Sequence, residues 1–222
     1  MFDSLIKFSN ALISAVPKLY SLYSDGKHEN KIVELFESFF ILSSLTKTAD
    51  EVISLARGRD VIIFSELSEE ELTEHYSIVQ SHLTIQFQRL ERLGDIFMSN
   101  PTIDLLDSKI KSDLENAIGD KEIGLYNLGA GLFFNQMFGA SGKEGESENH
   151  YKTRVVKEKY DFAASITNTD SISVSEQADI IVTLKNLAEQ YRGLLDGIAE
   201  PKHKTLLASK AKELSDKYSV RI

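Results

Sequence analysis

The chain has 222 residues, no Cys, 42% hydrophobic residues and a formal net charge of −9. That length supports a large core without metals or cross-links, and the missing thiols exclude disulfides, cysteine nucleophiles and cysteine-based metal centres. The negative balance disfavours general contact with nucleic-acid backbones.

Charge is unevenly distributed. Residues 1–60 carry 7 basic and 8 acidic side chains, residues 61–148 carry 6 and 16, and residues 149–222 carry 12 and 10. An acidic middle and a faintly basic end suit a charged contact within the fold or with a neighbour.

Helical periodicity dominates from the start. Leu5, Phe8, Leu12, Val16, Leu19 and Tyr23 step by three and four, forming one apolar stripe. Pro17 is expected to kink this helix or to start a new one. The early acid Asp3 and the amphipathic pattern read as mature helix, not as a secretory leader.

A second helix is expected from about Asn30 to Ala56, with Ile32, Leu35, Phe36, Phe39, Leu42, Leu45, Ala49 and Val52 in the same rhythm. Phe40 and Ile41 widen the stripe, so this helix should meet neighbours on more than one side. Residues 59–64 form the only strand-like run. Without a partner, it is expected to lie over the core as a loop segment. Ser68 and Glu71 then form a capping box ahead of a clear helix with Tyr76, Val79, Leu83, Phe87, Leu90 and Phe97 inward. Asn100-Pro101 ends it.

A shorter helix is expected over 103–118 and a glycine-rich one over 123–138. The polar run 139–149 is expected to be a flexible loop. Helices follow over 151–166, from a second capping box at Ser173 and Glu176 to about Ile198, and after Pro201. The predicted fold is therefore all-α, a bundle of about six to eight amphipathic helices without a substantial sheet. Residues 1–140 form an N-terminal bundle in this reading, and residues 150–222 supply helices packed on it.

Several groups merit chemical scrutiny. His75 and His82 share a helix face with Glu71, and these are the metal-ligand candidates. Their seven-residue separation puts the two imidazoles about 10 Å apart along the axis, too far for one ion. An ordinary acidic first helical turn is the simpler explanation. Glu200 and His203 make the only Glu-x-x-His, with Pro201 inside it, which does not suit a carboxylate-bridged di-iron bundle. Glu91 and Asp95 lie one turn apart, a common exposed arrangement. The run from Gly139 to Glu144 lacks the glycine, the Ser/Thr and the strand context of a phosphate loop.

Residues 123–142 carry no charge and five glycines. Gly124, Gly129 and Gly131 would admit a close helix neighbour, and Phe133, Phe134, Met137 and Phe138 would supply contact area. This segment is the expected interface or ligand groove if it is not simply core. Lys152, Arg154, Lys157 and Lys159 are the candidate anion contacts, with a solvated helix face as the alternative.

These features favour a cytoplasmic, non-enzymatic interaction protein, an adaptor or regulatory subunit. It is expected to bind a protein partner or itself, without a cofactor and without nucleic-acid or membrane contact. One alternative is a helical metal-dependent hydrolase or nuclease using His75, His82 and nearby carboxylates. Another is a peripheral membrane or lipid-binding protein working through residues 123–142.

Overall fold

Apolar stripes at helical spacing need a common partner, and the six helices among the described residues share one. The structure is a computed structural model that describes residues 2–25, 28–98 and 145–218. In chain order the helices are α1 (Phe2–Asp25), α2 (Glu29–Gly58), α3 (Glu69–Met98), α4 (Glu148–Thr167), α5 (Val174–Ile198) and α6 (Pro201–Tyr218). Short 3-10 turns, Arg59–Val61 and Phe64–Glu66, join α2 to α3. The described residues contain no strand, and the fold is all-α.

Helix α2 is the axis of the bundle. Its 30 residues span about 45 Å, and it touches each of the other five helices. Its buried positions accordingly run round most of the cylinder, from Ile32 and Leu35 to Ser38, Ile41 and Ser44. One strip stays exposed: Ser43, Lys47, Asp50 and Ser54.

Two apolar clusters sit end to end along this axis. The larger joins α1, α2 from Ile32 to Ile53, the end of α3, α5 and α6, and includes Phe8, Leu12, Leu19, Leu35, Phe97 and Tyr191. The smaller joins the end of α2, Phe64, the start of α3 and α4, and includes Val52, Val79, Leu83 and Tyr160. The strand-like run 59–64 forms no sheet. It turns over the smaller cluster and buries Phe64, while Val61 and Ile63 stay exposed.

Pro17 does not break α1, which runs continuously through it. The ring sits on the solvent side between buried Val16 and Leu19. Packing on the opposite face holds the helix across the missing hydrogen bond. Both expected capping boxes form. The Ser68 and Ser173 amides donate to Glu71 and Glu176, each at 2.7 Å, and the acid's own amide donates back to the serine Oγ. Helix α4 begins at Glu148, three residues before its expected start, because Ser147 caps it through the His150 amide. It ends at Asn168, whose φ of 57° is the left-handed stop that Asn tolerates.

A polar seam runs through the α2–α3 contact. Glu37 is bonded to Arg92, Thr48 to Gln86 and Arg89, and Glu51 faces His82. The α2 numbers rise as the α3 numbers fall, so the two helices are antiparallel. Arg89 also donates to the Tyr218 carbonyl at 2.7 Å, fastening the end of α6 onto the seam. Burial depresses the Arg89 guanidinium to about 10, against the opposing pull of Glu51.

Candidate functional site

The exposed strip of α2 is the floor of a groove of about 930 Å³. Lining residues on α2 run from Ser43 to Gly58, about 22 Å along the axis. His75 and His82 of α3 form one wall, with Tyr160 of α4 beside His75. Lys185, Ala188 and Glu189 of α5 form the other, and Ile62 closes one end. An open, mixed-polarity groove between helices is where bundles accept ligands and partner segments.

The histidine wall has defined geometry. His82 Nδ1–H donates to the Ile78 carbonyl at 2.8 Å, which turns Nε2 towards Glu51 Oε2 at 3.5 Å. His75 Nδ1 lies 2.8 Å from the Tyr160 hydroxyl. The rest of the Tyr160 ring is buried and packs against Phe64, and burial raises its phenol above the ordinary value. The two histidines therefore line one groove but are held by different partners. Among the described residues, no three His, Asp or Glu side chains converge as a metal-holding set.

Glu71 is not part of this wall. It is engaged by the Ser68 amide and hydroxyl at the helix start, and those bonds lower its carboxyl below the ordinary range. Glu91 and Asp95 are both exposed on α3.

The four basic residues of α4 do not share one surface. Lys152 pairs with Glu69 and Glu148, and Arg154 with Glu146 and Glu158. Lys157 is exposed, while Lys159 is 0% exposed. The Lys159 ammonium has no hydrogen-bond partner among the described residues and stands 5.9 Å from the Tyr76 ring centre. Burial pulls it down to about 8. The expected interface residues Gly124, Gly129, Gly131, Phe133, Phe134, Met137 and Phe138 lie outside the described residues. So do the phosphate-loop comparison at 139–144 and most of the expected loop 139–149.

Sequence reasoning missed Glu51, Tyr160, Lys185 and Glu189 as groove residues. One signal was present: Ser43, Lys47, Asp50 and Ser54 recur at helical spacing among the buried positions of α2. A polar strip on a central helix marks the side that no neighbour covers. Compared with protein-family models, curated proteins and solved structures, the chain matches none.

Proposed function

We propose that this is a non-enzymatic helical interaction protein, an adaptor or regulatory subunit, that grips a protein partner in the groove over α2. One observation carries the reading. The central helix leaves a polar strip uncovered along about 22 Å, between walls on α3 and α5. That trough has the length for a peptide segment laid along α2. The partner is another protein or a second copy of the chain.

A photo-crosslinking amino acid at Ser54, on the groove floor, tests this in the cells that make the protein. A discrete crosslinked product is expected from position 54 and not from Lys204, an exposed control on α6. A product of twice the chain mass would identify a second copy as the partner. The same products from both positions, or none from position 54, would reject the groove as the contact.

The hydrolase alternative is favoured by the opening of His75 and His82 onto the same groove. It requires further ligands, since the described residues supply no three-member set. The membrane alternative depends on residues 123–142, outside the described residues. Among the described residues, no helix is long and apolar enough to cross a membrane.

A further inference from the structure

We infer that one end of the groove is a dock for the chain's own residues 219–222, which follow directly on α6. The track of α6 carries the inference. Its start sits beside α1, where the Tyr20 hydroxyl bonds His203 Nδ1 at 2.6 Å and accepts from the Glu200 amide at 2.8 Å. That is one turn from the link into α2, where the His28 amide donates to the Tyr23 carbonyl. The end of α6 sits further along α2. There Lys217 donates to Glu37 at 3.0 Å, and the Tyr218 hydroxyl donates to the same carboxylate. Helix α6 therefore runs in the same direction as α2 and rests on its first half. The Tyr218 carbonyl accepts from Ser44 Oγ of α2, and from Arg89 of α3 at 2.7 Å. The groove lining on α2 begins at Ser43. The chain thus leaves α6 at the mouth of the groove, directed along its floor.

Reach and side-chain pattern suit that dock. Residues 219–222, extended, reach about 13 Å. That passes Lys47 and Asp50 on the floor and stops short of Ser54, about 15 Å along α2 from Ser44. Val220 and Ile222 lie two apart, so an extended chain turns both to one side and Ser219 and Arg221 to the other. Helix α5 runs antiparallel to α2, with Gln177 at Arg57 and Tyr191 at Ser38, which sets Lys185 and Ala188 beside this end. Ala188 and the alkyl stems of Lys47 and Lys185 receive the apolar side. The other end, from Ser54 to Ile62, stays open to a partner, so the dock is independent of the contact at Ser54.

A chain without Cys allows disulfide trapping. Val220→Cys is paired either with Lys47→Cys on the groove floor or with Glu91→Cys, an exposed position on α3 two residues from Arg89. Each variant of the whole chain is oxidised with diamide, and closure of the intrachain disulfide is read by gel mobility and thiol count. The Lys47→Cys pair is expected to close about tenfold faster than the Glu91→Cys pair, and adding Ile222→Asp should erase the difference. Equal rates, faster closure with Glu91→Cys, or a preference that survives Ile222→Asp would each overturn the dock. Maleimide labelling of the single Lys47→Cys variant separates shielding from thiol reactivity. It should quicken several-fold when Ile222→Asp is added, and an unchanged rate would overturn the dock too. Crosslinking at Ser54 is read separately: its loss rejects the partner contact and leaves the dock standing.

Discussion

Lys159 places an ammonium at 0% exposure without a hydrogen-bond partner among the described residues. Burial penalises its charged form and lowers the group from 10.5 to about 8. The folded state therefore holds this proton less tightly than the unfolded chain. The penalty is full below about pH 8, and stability is regained as pH rises from there towards 10.5. Lys159→Met keeps the length and drops the charge. It should stabilise the protein by about 2 kcal/mol at pH 7, and the gap to wild type should close by about pH 10.5 in urea titrations. A variant less stable than wild type at pH 7 would mean that the ammonium is satisfied. The sequence placed Lys159 among exposed cations, because one α4 face alternates charge too densely to show which lysine points inward. Only the packing of α3 against α4 decides it.

At the scale of elements, local chemistry was readable wherever a few adjacent residues complete the structure. The Ser173–Glu176 box is such a case, since its hydroxyl, carboxylate and two amides all lie within one turn. Ser173→Ala should cost about 1 kcal/mol and lower the melting temperature by about 2–4 °C, measured by circular dichroism. No change would show that tertiary contacts such as Arg57–Gln177 already hold the start of α5. Pro17 shows the limit of local reasoning. Its penalty of about 3 kcal/mol is a local property, while the burial of Leu12, Ala15, Val16 and Leu19 that outweighs it is not. The run 59–64 is similar. Its β-branched residues favour an extended strand, but no partner edge exists among the described residues, so it turns and anchors through Phe64.

The whole bundle is fastened by polar ties that cross from helix to helix, and these set its response to acid. Glu37 of α2 accepts from Arg92 of α3 and from Lys217 and Tyr218 of α6. Burial pushes its carboxyl up, but the bonds from Arg92, Tyr218 and Lys217 outweigh that and bring it down to about 2, from 4.5. Its contribution, about 3 kcal/mol, is present above pH 4.5 and is lost as pH falls towards 2. Glu37→Gln should remove that dependence. Its stability should lie below wild type at pH 7 and converge with it near pH 2 in denaturant titrations, and parallel curves would contradict the assignment. The amino-acid order by itself determined the all-α class, most helix boundaries and both capping boxes, because these depend on periodicity and on neighbours within one turn. Tertiary structure alone decided that α2 is the axis, that Glu37 and Glu51 meet α3, and that a strip of α2 is left uncovered as a groove. Those outcomes depend on which helix faces come together, and residues far apart in sequence carry no mark of the partner they will meet.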